Sequence, residues 1–187
     1  MKKLVPSMLL ALLAAPPALA QDGGIWLGAQ GQVVIPASSD LTDIATVGGG
    51  FAIKGDFSVS SRMVVRIDAS FNRFGNKDTA TFTVNKLTVA PWRVGLLYKL
   101  NNAKARFYVA GMAGGYLTDI SVNISGEEDE ELSNTTTNLG FAPGAGLFLS
   151  LSERLKLDIN AFYDIVFREG LTLGYVSAGI GLLFDVN

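Results

Sequence analysis

The side chains best equipped for chemistry are opposite charges set at short intervals within otherwise apolar runs. They are Lys54 and Asp56, Arg66 and Asp68, Arg93, then Lys156, Asp158 and Asp164. A spacing of two puts the members of a pair on one face of a β-strand. These groups would then converge on one interior, where each charge needs an opposite partner and hydrogen bonds. Two uses follow: a static polar filling that fixes strand register, or a gate whose ion pairs part to pass a solute.

Other chemistries are largely closed. The chain has no His and no Cys. Without His it lacks the usual general base near neutral pH and the commonest metal ligand, and with it the Ser–His pairing of a serine hydrolase. Without Cys it has no thiol nucleophile, disulfide or Cys-rich metal site. Asp158 with Asp68 as a carboxylate pair has no further motif behind it, so no catalytic residue, no cofactor and no enzymatic activity are expected. The acidic run Gly126-Glu127-Glu128-Asp129-Glu130-Glu131 offers oxygen ligands to Ca²⁺ or Mg²⁺, but it lacks an ordered ligand spacing. Consecutive like charges read as a solvated loop. The Asn-x-Ser/Thr matches at Asn123 and Asn134 read as coincidence. A formal net charge of −2 offers no broad basic face for nucleic acid.

The elements that must position the charges begin after an export signal. Lys2 and Lys3 precede the apolar stretch Leu4 to Ala15, and Ala18-Leu19-Ala20 gives the small-x-small pattern for cleavage between Ala20 and Gln21. The stretch is shorter than the roughly 20 residues that span a bilayer. One domain, residues 21 to 187, is expected to follow.

Within that domain, alternation with period two recurs in eight runs separated by polar or Gly-rich turns. They cover about 25–35, 47–57, 63–74, 87–99, 106–117, 137–151, 154–167 and 173–186. Residues 37–43 read as a loop, and 118–136 as a long acidic loop. The runs are longer than the ordinary strand of about five or six residues, and they fit a tilted membrane strand of about 9 to 11. Connections alternate between brief and long, the pattern of a membrane barrel. Lys156, Asp158, Asn160 and Asp164 oppose Leu157, Ile159, Ala161, Tyr163 and Ile165 on the seventh run. The same opposition sets Arg66 and Asp68 against Ile67 and Phe71, and Arg93 against Trp92 and Leu96; Ile180 and Leu182 share the apolar face of the eighth run. The fifth and sixth runs carry Gly, Ala and aromatics on both faces. Alternation alone fits a soluble sandwich or lipocalin-like barrel as well. Strand length, aromatics near run ends (Tyr98, Tyr163, Phe167, Phe184) and abundant Gly for a narrow lumen favour a closed, eight-stranded, antiparallel up-and-down transmembrane β-barrel, all-β, with apolar faces to lipid.

The phrases Phe107-Tyr108-Val109-Ala110-Gly111-Met112-Ala113-Gly114-Gly115-Tyr116 and Phe141-Ala142-Pro143-Gly144-Ala145-Gly146-Leu147 carry a family likeness. With the signal and the eight runs, the chain resembles the small outer-membrane β-barrel proteins of Gram-negative bacteria, the OmpA/OmpX-like, porin-like group. One feature departs from the group. Members usually finish on a terminal aromatic, read by the barrel-insertion machinery, whereas here Phe184 is followed by Asp185-Val186-Asn187. The resemblance implies a bacterial outer-membrane location. It implies contact with membrane lipid and lipopolysaccharide, and with insertion machinery and periplasmic chaperones during biogenesis. It also implies a structural or surface-interaction, adhesion-like role. A narrow low-conductance pore and a soluble periplasmic ligand binder are the alternatives.

Overall fold

The computed structural model describes residues 24–77, 82–101, 103–124, 131–168 and 171–186. Eight antiparallel strands form one closed barrel in chain order. They are β1 Ile25–Pro36, β2 Ala45–Ser58, β3 Met63–Asn76, β4 Phe82–Lys99, β5 Ala105–Ile124, β6 Glu131–Ser150, β7 Leu155–Arg168 and β8 Leu171–Asp185, with one helix, α1 Ser39–Ile44, between β1 and β2. The seam between β8 and β1 runs from Trp26 opposite Asp185 to Pro36 opposite Tyr175. Closure satisfies backbone N–H and C=O groups within the sheet, which hydrocarbon demands.

The tight turns 59–62 and 151–154, and the short connection from β4 to β5, lie at the end where β1 begins and β8 stops, here termed the turn end. At the opposite, loop end, β4, β5 and β6 run further than the alternation suggested. Asn123 still faces Glu131, and Phe82 still faces Ile124. The expected loop 118–136 is thus strand over 118–124 and 131–136. Thr, Val and Ile support strand there. The period-two alternation in fact continues through Asp119-Ile120-Ser121-Val122-Asn123-Ile124, up to the acidic run. Register shifts between Thr46 and Gly49 and between Val84 and Lys86 mark bulges in the same region.

The segment expected as a loop over 37–43 is a turn followed by α1. Pro36 ends β1 by lacking an N–H. The Ala37 and Ser38 amides both donate to the Gly174 carbonyl at 2.9 Å, and the Gly174 amide donates to the Ser38 hydroxyl at 3.0 Å. The Thr42 amide donates to the Ser38 carbonyl at 2.9 Å, and the Lys77 ammonium donates to the Thr42 carbonyl at 2.7 Å. So anchored, α1 turns Leu41 into the barrel, where it is 1% exposed.

The interior is layered. Leu41 joins Val34, Phe74, Leu87, Tyr116 and Tyr175 in an apolar plug at the loop end. Trp26, Val64, Leu97, Tyr108, Phe148 and Leu183 belong to a second plug towards the turn end. Polar and charged side chains fill the space between. The large interior rings need small residues beneath them. A side chain at Gly146 would strike the Tyr108 ring, and one at Gly140 the Tyr116 ring. Gly146→Val should therefore cost about 1–3 kcal/mol by overpacking. Urea titration of the barrel in lipid measures this, and a cost near zero would mean that Tyr108 is free to swing away.

Candidate functional site: the charged lumen

Two ion clusters occupy the lumen, and register brings them together. In the first, Asp56 and Arg66 stand directly opposite on β2 and β3. The guanidinium grips the carboxylate through Nε and Nη2, both at 2.7 Å, the bidentate geometry that suits this pair. Asp158 reaches in from β7. Lys54 Nζ and Arg66 Nη2 meet its Oδ2 at 2.8 and 3.0 Å. The Tyr108 hydroxyl donates to its Oδ1 at 2.7 Å, and Asn160 Nδ2 donates to its Oδ2 at 3.0 Å. Lys54 also donates to Gln30 Oε1, which accepts from Asn160 Nδ2 as well.

The second cluster repeats the design nearer the loop end. Asp68 and Arg93 are opposite on β3 and β4, joined through Nε and Nη2 at 2.9 Å each. Arg93 Nη1 meets Asp164 Oδ1 of β7 at 2.5 Å. Asp164 also accepts from the Tyr116 hydroxyl at 2.8 Å and the Ser177 hydroxyl at 2.7 Å. The Arg93 guanidinium stacks over Phe162, 5.2 Å from the ring centre.

Seven of the eight charged residues expected to face inward are therefore buried in the lumen and bonded to one another: Lys54, Asp56, Arg66, Asp68, Arg93, Asp158 and Asp164. Lys156 is half-buried and stands apart. Asp158 and Asp68 instead take Lys54 and Arg66, and Arg93, respectively. Lys156 lies nearer the turn end, and its ammonium sits over the Trp26 ring, 3.1 Å from the centre. Asp68 and Asp158 belong to different clusters, each neutralised by its own cations, so they do not act as a carboxylate pair.

The remaining expectations concern lipid contact and the termini. Phe71, Trp92, Leu96, Ile159, Tyr163, Ile180 and Leu182 are exposed on the outer face, while Ile67 and Leu157 are half-buried there. The cleavage site at Ala20 and Gln21 lies outside the described residues, as does the acidic run 126–131 except for Glu131, which begins β6. Tyr108, Tyr116 and Ser177 were not anticipated as donors to the network. The signal was available as parity: Tyr108 and Tyr116 fall on the same face of β5 as Arg106 and Gly114.

Such a structure, apolar outside, ionic within and closed on itself, defines a membrane-spanning β-barrel. The chain belongs to the outer membrane protein beta-barrel domain family, whose model matches residues 6–183. No curated protein sequence matches it. Among solved structures it is similar to Neisserial surface protein A, at 13% identity and a TM-score of 0.62, over 87% of this chain and 97% of that one. Ail, the attachment invasion locus protein of Yersinia pestis, is similar at 16% identity and a TM-score of 0.54, over 87% and 97%. OprG from Pseudomonas aeruginosa is similar at 12% and 0.54, again over 87% and 97%. At these identities the likeness is one of fold.

Proposed function

We propose that this protein is a sealed outer-membrane barrel that acts through its surface and not through its lumen, in a structural or adhesion-like role, after removal of residues 1–20. The observation that carries the reading is the saturation of the lumen. Its two ion clusters engage all four carboxylates buried among the described residues, and apolar plugs lie towards both ends of the barrel. An eight-stranded barrel is in general filled by its own side chains, and opening this one would strand buried charges, each costly without its partner.

The surface supports the same reading. Pairing of β6 with β7 stops at Leu139, while pairing of β6 with β5 continues to Glu131. The β4–β6 sheet therefore rises above its neighbours at the loop end and presents itself to whatever lies outside. Ail, of the same fold, is named for attachment and invasion. Membrane lipid and lipopolysaccharide would cover the apolar belt, and insertion machinery and periplasmic chaperones would handle the chain beforehand. A soluble ligand binder is disfavoured by the outward apolar residues, among them Phe51 at 60% and Ile53 at 61% exposure.

Planar-bilayer recording tests the lumen. Correctly inserted protein should give no discrete conductance steps; reproducible steps would restore the pore. Adhesion of cells displaying the chain, compared with cells displaying it without the β5–β6 projection, tests the surface role.

A further inference from the structure

We propose that the turn end of the barrel is a recognition rim for anionic phospholipid, with Arg62 and Tyr98 as its main phosphate clamp. The rim is built from a repeated sequence. Residues 58–63 read Ser-Val-Ser-Ser-Arg-Met, and residues 150–155 read Ser-Leu-Ser-Glu-Arg-Leu. The two connections fold alike. The Val59 and Ser60 amides donate to the Met63 carbonyl at 2.9 and 3.2 Å, and the Leu151 and Ser152 amides to the Leu155 carbonyl at 2.9 and 3.1 Å. The Arg62 amide donates to the Ser60 hydroxyl, and the Arg154 amide to the Ser152 hydroxyl, both at 3.3 Å. Each turn thereby exposes one aliphatic side chain, Val59 or Leu151, and one guanidinium. The β4–β5 connection presents the same pairing, Leu100 with Lys104, through other hydrogen bonds.

Single exposed aliphatic residues are common on any protein surface. Here they recur at the same position of both turns, and the apolar belt runs up to them. Met63 opens β3 and is exposed, and so is Tyr98, opposite it on β4. Turns directly behind the belt stand at headgroup depth, where an aliphatic tip meets the acyl boundary and a cation meets phosphate. Short turns face the periplasm in barrels of this kind, so the leaflet concerned is the periplasmic one. The balance of charge suits it. The three connections expose Arg62, Lys104 and Arg154 against one carboxylate, Glu153. Asp185, at the end of β8, acts on Lys156 further in.

Arg62 is the best placed of the three. Its Nη1 donates to the Tyr98 hydroxyl at 3.2 Å, which draws the guanidinium round to the lipid-facing side. Tyr98 is the side chain that acts on it, and among the described residues no carboxylate does. The other guanidinium N–H groups and the phenolic proton remain for a phosphate, whose oxygens accept several donors at once. In the β6–β7 turn Glu153 stands where the β2–β3 turn has Ser61, and its negative charge repels the same phosphate. The two turns are thus a strong and a weak version of one site. The inference rests on placement in a membrane and not on the sealed lumen, so a conducting barrel would leave it standing.

Val59→Trp and Leu151→Trp, each in a Trp92→Phe background, place a reporter on each turn. Trp26 faces the lumen and gives a constant background. The full chain is inserted into vesicles of phosphatidylcholine with a fixed share of phosphatidylglycerol, symmetric across the bilayer. Either lipid in turn carries brominated chains, which quench nearby Trp. The ratio of the two quenching values reads the local enrichment of phosphatidylglycerol. At Val59→Trp it should be about fivefold, the attraction of one cation to an anionic surface. Arg62→Gln should return it to near unity, and Tyr98→Phe should lower it by about half, since one donor is lost. At Leu151→Trp the enrichment should be smaller, and Glu153→Ser should raise it to the Val59→Trp value. Arg62→Gln should leave it unchanged there. Heat-dependent gel mobility confirms that every variant is folded. Absence of enrichment at both reporters would overturn the rim. So would an equal loss at both reporters from Arg62→Gln alone, the mark of a diffuse field in place of a clamp.

Discussion

Arg93→Ala should lower the unfolding free energy of the barrel by about 3–5 kcal/mol, the cost of stranding buried charge. Arg93 is the one cation in ion-pair contact with both Asp68 and Asp164 among the described residues. Its removal leaves Asp164 with hydroxyl donors from Tyr116 and Ser177, and Asp68 without the two bonds that hold it. Lys54→Ala should cost less, because Asp158 keeps Arg66, Tyr108 and Asn160. Urea unfolding in lipid vesicles orders the two. Equal and small costs would mean that water reaches the lumen and solvates what is left, and the sealed interior would have to be abandoned. Replacing Arg93, Asp68 and Asp164 together by apolar residues of similar volume should recover much of the loss, since deleting a buried cluster whole removes its desolvation cost as well.

The second large effect lies on the opposite face. Ile159→Arg should cost about 2–4 kcal/mol if the residue sits near the bilayer midplane. Ile159 is 40% exposed and stands opposite Leu147 and Ile180, within the apolar belt. Lys156→Ala, three residues away on the inner face, should cost much less, because Lys156 is half-buried and rests on Trp26, outside the two ion clusters. The two variants measured side by side in the same lipid test the assignment of faces, which equal costs would refute.

Legibility in the sequence depended on where a residue sits relative to hydrocarbon. β1, β3, β7 and β8 show alternation because one face meets lipid and the other a polar lumen. β5 and β6 hide it, since the Tyr108 and Tyr116 rings lie over β6 and need Gly146 and Gly140 beneath them. Small residues consequently fall on the inner face too, and hydrophobicity no longer separates the sides. The extensions 118–124 and 131–136 were read as loop because the acidic run between them dominates the stretch, although Ile120, Val122 and Ile124 alternate with Asp119, Ser121 and Asn123 and so carried the strand signal. Leu41 and Ile44 are the two apolar residues of α1, and a single i, i+3 pair is too short a pattern to show that Leu41 plugs the barrel. For the charges, parity gave the face of each residue but not its height along the axis. Height decides partners, which is why Lys156 was grouped with Asp158 although it reaches only Trp26.

The two carboxylates on β7 also bear on how the molecule is built. Asp56 with Arg66, and Asp68 with Arg93, are neighbours across single hairpins and can neutralise one another as soon as β2, β3 and β4 zip together. Asp158 and Asp164 have no such local counterpart: the cations that answer them sit 104 residues (Lys54) and 71 residues (Arg93) earlier in the chain. They act as a latch that engages only when the curled amino-terminal half meets the carboxy-terminal half. Assembly is thereby driven towards an all-or-none final step, and a half-rolled sheet carries two bare anions that discourage it from lingering in the bilayer.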